Sequence, residues 1–278
     1  MTTSCIFVLD HGYVKGVESW GSDARIIEAA RMSTQKGFEG WGSDGKCERC
    51  GERDVTRRGG RCQGVPGSEH DWRPYQGDEK LLKYLYENQH ATPFEMAGAT
   101  FEVQAPIFVF REWHRHRVPF GYNEMSARYA PLPDLNYLPT LDRVMMGGGH
   151  LTKQAGAVKD ADELQASVAE RLLYEEAELN KAVEDLYRRK LKAGFPKELA
   201  RTHLSVSRYS RMRATGNLRG WLSFLTLRTH EHAQWEIRQF ADAVGVFIAE
   251  AFPRTWDLFE LERQERAEFK AWKKARKT

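Results

Sequence analysis

The sequence contains no long hydrophobic run, because none of its segments has the 18 or more consecutive apolar residues that a transmembrane helix requires. Residues 1–10 also lack the basic start and the apolar stretch of a secretory signal. Cysteine is scarce: there are four in 278 residues, and three of them crowd between positions 47 and 62. That distribution differs from the disulfide framework of a secreted protein. These absences predict a cytoplasmic protein that does not bind membranes.

Charge of one sign is not in excess either. The 42 Lys and Arg residues stand against 39 Asp and Glu residues, which gives a net charge of only +3. Nucleic-acid-binding domains usually carry a concentrated basic face. The strongest local excess of cations is the tail at 270–277, where the helix dipole favours basic residues near a C-terminus. A nucleic-acid partner is therefore not expected.

Hydrophobic periodicity gives the organisation of the chain. Apolar residues at helical spacing predict helices over 17–32, 164–186 and 218–251, with a further helical pattern resuming at Asp78. The alternation of residues 99–104 predicts a half-buried strand. We therefore expect a mixed α/β (α+β) fold, rich in helix with a small sheet, in one domain that spans residues 1–278.

A segment at about 38–76 interrupts this pattern. Ten of the 23 glycines lie between positions 37 and 77, with almost no aliphatic residues, so the segment cannot build a core by packing alone. It carries a possible ligand set for zinc: Cys47, Cys50, Cys62 and His70. Three thiolates and an imidazole suit a closed, tetrahedral structural zinc site. The alternative is a loop whose thiols bind no metal.

The first concentration of polar residues lies at 111–129. Four arginines and two histidines fall within the eighteen residues 111–128. Positive charges this close repel one another unless an anion neutralises them, and guanidinium groups match phosphate oxygens bidentately. We therefore expect a phosphate-bearing ligand here. An exposed basic helix face is the alternative interpretation.

The second concentration lies at 217–238. Arg228 and His232 are four positions apart, which places them on one face of the helix predicted over 218–251. The neighbouring run His230-Glu231-His232 lacks the two histidines four apart that the zinc-protease helix motif requires. No metal is therefore expected on this helix.

Taken together, these segments resemble the flavin-dependent thymidylate synthases, a family distinct in fold and mechanism from the classical thymidylate synthase. Four separated matches occur in order over most of the chain. They are AARMS at 29–33, HATPFE at 90–95, RHR followed by NEMSARY within 115–129, and NLR through AQWEIR at 217–238. The resemblance implies that family's fold and a homotetramer with sites shared between subunits.

The same resemblance implies an activity and its cofactors. The expected reaction is the FAD-dependent methylation of dUMP at C5 to give dTMP, with methylenetetrahydrofolate as carbon donor and NADPH as reductant. Carried over position by position, the residues expected to contact the flavin are Ser33, His90, Thr92, Glu95, Arg115, His116, Arg117, Asn217, Arg219 and His232. Those expected to contact the nucleotide are Glu112, Arg115, Glu124, Met125, Ser126, Ala127, Arg128, Arg201 and Arg228. Arg228 is the expected catalytic residue, placed at the pyrimidine to favour ionised N3 and so raise electron density at C5.

Two departures from the family pattern bear on the substrate. The stretch between the RHR triplet and Ser126 is one residue longer than the signature, and the extra residue either forms a bulge or moves a pocket wall. Glu112 stands where glutamine is usual at the nucleotide site, and a carboxylate repels phosphate unless an arginine intervenes. These departures leave open a changed outcome, either hydroxymethylation or a dCMP-type substrate. An alternative of another class is a nucleic-acid-binding zinc module.

Overall fold

A computed structural model gives the fold, and the structure describes residues 4–47, 50, 74–147 and 164–276. The strands of this part of the chain are β1 (Cys5–Val8), β2 (Gly12–Trp20), β3 (Gly98–Pro106), β4 (Gly121–Glu124) and β5 (Tyr209–Asn217). The first helices are α1 (Asp23–Arg31), α2 (Gly77–Glu87), α3 (Ile107–Trp113), α4 (Leu141–Gly147) and α5 (Ala166–Lys192). The later helices are α6 (Lys197–Ala200), α7 (Leu218–Arg228), α8 (Trp235–Ala251) and α9 (Pro253–Ala275). Short 3-10 turns lie at Met32–Thr34, Thr92–Met96 and Arg201–His203.

The strands form one antiparallel sheet in the order β1-β2-β3-β5-β4. Strand β3 contains the predicted strand at 99–104, so the strand is confirmed. The prediction that it is half-buried is wrong, because Thr100 and Gln104 on its polar face are buried too and only Glu102 is partly exposed. Its alternation has the expected cause: Phe101 and Val103 are fully buried on one face, where apolar side chains leave water. The prediction of a helix-rich mixed fold with a small sheet is confirmed as well.

Helices α7 and α8 cover the Phe101 face of the sheet. The ring of Phe101 meets Trp221 of α7 edge-on at 4.9 Å and Phe247 of α8 at 5.5 Å. Trp221 also donates its indole N–H to the carbonyl oxygen of Ala99 at 3.0 Å, which fixes α7 to β3. Each of these buried aromatic side chains contributes roughly 1.5–3 kcal/mol to stability. The core therefore holds both ends of α7 in place, and these ends carry the residues described below.

Two predicted helices are wrong in their bounds. Residues 12–20 form strand β2 rather than the start of a helix, and α1 begins only at Asp23, where Ser22 caps it by accepting the Arg25 N–H at 3.2 Å. The helix predicted over 218–251 is two helices, because α7 ends at Arg228 and α8 begins at Trp235. His232 lies in the connecting turn and does not share a helix face with Arg228.

The glycine-rich segment lies mostly outside the described residues. Cys62 and His70 belong to that part, so the zinc prediction stays a prediction. Among the residues that the structure describes, no group of three or more His, Cys, Asp or Glu side chains could hold a metal ion. None of the described helices is long and apolar enough to cross a membrane.

Candidate active site

Arg228 is the centre of the candidate site, at the C-terminal end of α7. Its Nε–H donates to Nε2 of His116 at 2.9 Å. Its Nη1 donates to a carboxylate oxygen of Glu112 at 2.7 Å, and its Nη2 donates to the main-chain carbonyl oxygen of Glu112 at 2.8 Å. Helix α3 and the residues after it thus hold all three nitrogens of one guanidinium group. The structure therefore brings together three predicted site residues, of which Arg228 lies more than a hundred positions after the other two.

His116 is a neutral partner in this cluster. Burial, with the nearby charge of Arg228, lowers the pKa of His116 from its ordinary value of 6.5 to about 4. Because the arginine N–H must donate, Nε2 is the acceptor and the neutral ring carries its hydrogen on Nδ1. The ring meets Phe224 of α7 edge-on at 5.0 Å, which keeps water from that side. His116 therefore orients Arg228 without adding charge.

The guanidinium group of Arg228 keeps two donors for a ligand. Of its five N–H groups, one goes to His116 and two go to Glu112. The remaining N–H groups, one on each Nη, belong to a side chain that is 15% exposed. Arg228 can therefore bind a partner with its orientation already fixed.

Three more arginines lie around this centre on α3 and the residues after it: Arg111, Arg115 and Arg117. All three are exposed, and within the described part of the chain none of them has a carboxylate partner. They differ in this respect from Arg228, whose charge Glu112 balances. Exposed guanidinium groups within seven consecutive residues, without carboxylate partners, favour the binding of anions, above all phosphates. This excess of positive charge suits two phosphate-bearing ligands such as FAD and a nucleotide.

The longer stretch after the RHR triplet does not disturb the strand that follows it. Strand β4 pairs with β5 without a register shift from Gly121 to Glu124, and the Met125 N–H continues the ladder to the carbonyl of Arg211 at 2.8 Å. No bulge therefore interrupts β4, and the chain enters it through the turn at 117–120. That turn packs against two glycines, since a Cβ at Gly216 would lie 2.7 Å from the Phe120 ring and one at Gly220 would lie 2.5 Å from Pro119.

Tyr122 in β4 is a site residue that the sequence did not reveal. Its hydroxyl donates to the carbonyl oxygen of His116 at 2.6 Å, and burial raises the pKa of Tyr122 above its usual range. The contact fixes the backbone that carries His116. A four-residue strand is too short for its alternation to stand out, so no sequence signal pointed to this tyrosine.

A second group of predicted residues lies at the opposite end of α7. Asn217 caps that helix by accepting the Gly220 N–H at 3.0 Å, and Arg219 donates to Glu95 at 2.5 Å. Glu95 and Thr92 belong to the 3-10 turn at Thr92–Met96, which packs against both α1 and α7. At 1.5 Å per residue, Arg219 lies about 14 Å along the helix from Arg228. One chain therefore does not collect all the predicted flavin residues around Arg228.

A third group follows strand β4. The Ser126 hydroxyl accepts the Arg128 N–H at 3.3 Å, while Ala127 is buried and Arg128 is exposed. Lys197 of α6 donates to the carbonyl oxygen of Tyr129 at 2.9 Å. This contact ties the turn to α6, and Arg201 follows α6 directly.

Three predicted flavin residues are exposed and make only local contacts within the described residues. The Ser33 hydroxyl lies 3.5 Å from the carbonyl oxygen of Ala30, and the His90 ring meets Tyr84 edge-on at 5.4 Å. The backbone N–H of His232 donates to Nδ1 of His230 at 3.2 Å. Contacts inside one chain therefore do not bring these residues to Arg228.

Comparisons with known proteins agree on one family. Residues 17–254 match the family model described as Thymidylate synthase complementing protein (Thy1). The flavin-dependent thymidylate synthase of Thermotoga neapolitana is 32% identical over 252 residues, which cover 91% of this chain and 92% of that protein. The enzyme of the same name from Thermosipho melanesiensis is 33% identical over 258 residues, again 91% and 92% of the two chains. Among solved structures, the UMP/dUMP methylase PolB from Streptomyces cacaoi, bound with 5-Br dUMP, is similar with a TM-score of 0.65 at 28% identity, covering 92% of this chain and 97% of that one.

Proposed function

The chain belongs to the flavin-dependent thymidylate synthase family and is an enzyme of that methyltransferase type, and on this premise we propose that it methylates C5 of dUMP to give dTMP. FAD is the proposed flavin, methylenetetrahydrofolate the carbon donor and NADPH the reductant. One observation carries the proposal: Arg228 is held by Glu112 and His116, which belong to a segment with three exposed arginines that have no carboxylate partner within the described residues. A family match over residues 17–254 favours this enzyme over a nucleic-acid-binding module.

Arg228 activates the pyrimidine in this proposal. C5 of uracil is a weak nucleophile, and a fixed cation at the pyrimidine edge stabilises the negative charge that develops on N3 or on a carbonyl oxygen. Because Glu112 and His116 already hold the guanidinium group, it does not have to reorganise when the nucleotide binds. The two free N–H groups of Arg228 are the donors available for this role.

The flavin site draws on the residues that the family resemblance assigned. When bound, FAD supplies the redox and carrier chemistry of the reaction. The residues that would hold it are Ser33, His90, Thr92, Glu95, Arg115, His116, Arg117, Asn217, Arg219 and His232. The exposed, unpaired side chains of Arg115 and Arg117 suit its pyrophosphate. Neutral His116 keeps further positive charge away from Arg228.

The nucleotide site would combine Glu112, Arg115 and Arg228 with the turn after β4. Arg128 and Arg201 are exposed there and offer guanidinium groups to a phosphate. Since these residues, the Arg228 cluster and the Arg219 cluster form three separate groups in one chain, we propose a homotetramer whose sites take residues from more than one subunit.

The product identifies the reaction. The protein is incubated anaerobically with FAD, NADPH and methylenetetrahydrofolate, together with dUMP or, separately, dCMP, and the nucleotides are analysed by mass spectrometry. A gain of one CH2 on dUMP is expected. A gain of CH2O, or reaction with dCMP alone, would contradict thymidylate synthesis.

A changed outcome is the second candidate function, and Glu112 is the observation that favours it. Its carboxylate lies at the guanidinium group of Arg228. There it can accept an N–H from the base, such as that of an exocyclic amine. In the product experiment, hydroxymethylated dUMP or methylated dCMP would support this candidate.

A further inference from the structure

The candidate active site separates its charges into an inner and an outer zone. In the inner zone, the positive charge of Arg228 is balanced by Glu112, and the adjoining His116 is neutral. In the outer zone, Arg115 and Arg117 are exposed and have no carboxylate partner within the described residues. A ligand with one anionic and one neutral end therefore has a preferred orientation, with its phosphate at exposed arginines and its neutral end at the inner pair.

The inner pair offers both kinds of hydrogen-bonding group to that neutral end. Arg228 retains one free N–H on each Nη. Glu112 binds Arg228 through one carboxylate oxygen, and its other oxygen has no hydrogen bond within the described part of the chain. The Glu112 side chain is 39% exposed, so this second oxygen is accessible. The pair thus presents an acceptor beside donors.

We propose that Glu112 recognises the base, accepting the N3–H of a uracil ring while Arg228 donates to the carbonyl oxygen next to that N–H. This inference rests on the proposed function and deepens it, because it names the group that recognises the base. A uracil edge carries an N–H beside a carbonyl oxygen, which matches the acceptor and donor of the pair. Cytosine presents its N4–H beside the N3 lone pair, so the same acceptor and donor can also pair with that edge. The N3–H contact is therefore isolated by a uracil whose N3 carries a methyl group.

The same hydrogen bond assists the chemistry. A carboxylate that accepts the N3–H draws the proton away from N3 and so increases electron density in the ring. Arg228 stabilises that density at the neighbouring oxygen, where it acts as an oriented donor. Glu112 and Arg228 therefore both increase the electron density of the ring, and with it the reactivity of C5.

The test measures binding of three nucleotides to the FAD-loaded, full-length protein by calorimetry: dUMP, 3-methyl-dUMP, which lacks the N3–H, and dCMP. The unaltered protein should bind dUMP at least about tenfold more tightly than 3-methyl-dUMP, since a hydrogen bond to a charged group is lost. For dCMP, Glu112→Ala should lower any affinity that the unaltered protein has, because the same carboxylate accepts the N4–H. In Glu112→Ala, the ratio of dUMP to 3-methyl-dUMP affinity should fall below about threefold. Glu112→Gln, which keeps the shape and loses the charge, should give an intermediate ratio and a raised KM for dUMP.

Controls separate base recognition from a structural role. Glu175→Gln, an exposed change on α5, should leave all three affinities unchanged. If Glu112 only positioned Arg228, dUMP would bind more weakly in Glu112→Ala while the ratio to 3-methyl-dUMP stayed as in the unaltered protein, and that result would overturn the proposal. Glu112→Gln gives the same comparison if Glu112→Ala does not fold.

Failure of this inference differs from failure of the proposed function. Normal dTMP formation with unchanged ratios of dUMP to 3-methyl-dUMP affinity in both Glu112 variants would overturn the recognition role alone. The ratio of dUMP to 3-methyl-dUMP affinity could fall in Glu112→Ala while the unaltered protein transfers no methyl group. That result would support recognition of the base by Glu112 and reject the proposed reaction. No binding of dUMP at all would reject both.

Discussion

Replacement of His116 by glutamine tests whether this buried ring stays neutral in the folded protein. Its pKa is lowered from 6.5 to about 4 by burial and by Arg228, whereas the unfolded chain titrates near the ordinary value. Between these two values the unfolded state binds a proton that the folded state does not. The contribution of His116 to stability is therefore fully present above pH 6.5 and is lost as the pH falls towards 4.

The size of this loss follows from the shift. A difference of about 2.5 pH units, at 1.36 kcal/mol per unit, amounts to roughly 3 kcal/mol between pH 6.5 and pH 4. Glutamine at position 116 does not titrate, and its amide oxygen can still accept the Arg228 N–H. The variant therefore keeps the contact and removes the proton-binding group.

Urea unfolding of both proteins at half-unit steps from about pH 7.5 to pH 4 measures the effect. All other titrating groups are common to the two proteins, so the change in their difference in unfolding free energy isolates His116. We expect the unaltered protein to lose roughly 3 kcal/mol relative to His116→Gln over the acidic half of this range. Curves that remain parallel down to pH 4 would refute the argument that His116 is held neutral.

Two further variants test contacts that support the site. A Cβ at Gly220 would lie 2.5 Å from Pro119, so Gly220→Ala should lower the free energy of unfolding by about 1–3 kcal/mol. The control is Gly37→Ala, where a Cβ would have no atom within 4 Å and the change should be less than about 0.5 kcal/mol. Thermal denaturation compares the two variants, and equal melting temperatures would contradict the close packing. Asp23 accepts the Thr255 hydroxyl at 2.6 Å and the first-turn N–H groups of α9, so Asp23→Asn should cost about 1–3 kcal/mol in urea unfolding, and an unchanged midpoint would show that α9 does not need this cap.

The fold could be predicted where apolar and polar side chains alternate regularly along the sequence. Phe101 and Val103 alternate with polar residues, and β3 is where the sequence indicated a strand. Strand β5 has a similar alternation, with Met212 and Ala214 buried between exposed Arg211 and Arg213. No structure is predicted from the sequence for residues 209–216, so this strand is not among the predicted elements. Strand β2 was missed because its second half is mostly exposed and lacks contrast.

The candidate site could be predicted in its residue types but not in its contacts. Clustered arginines pointed to an anion, and the family resemblance singled out Arg228. The pairing of Arg228 with Glu112 joins residues 116 positions apart, and no local pattern encodes such a distance. The same pairing shows that an arginine lies beside the Glu112 carboxylate. The neutrality of His116 depends on burial, which only the folded chain determines.

The separation of Arg219 and Arg228 at opposite ends of α7 leads to a test of shared sites. If one site takes Arg228 from one subunit and Arg219 from another, Arg219→Ala and Arg228→Ala should each be inactive alone. Unfolded together in equal amounts and refolded, they should regain activity, because about a quarter of all sites in the randomly mixed tetramers would combine both intact arginines. The rate of dTMP formation measures this recovery, and each variant refolded alone is the control. If both arginines of a site came from one chain, every site in the mixture would lack one of them. Correctly assembled mixtures that remain inactive would therefore refute shared sites.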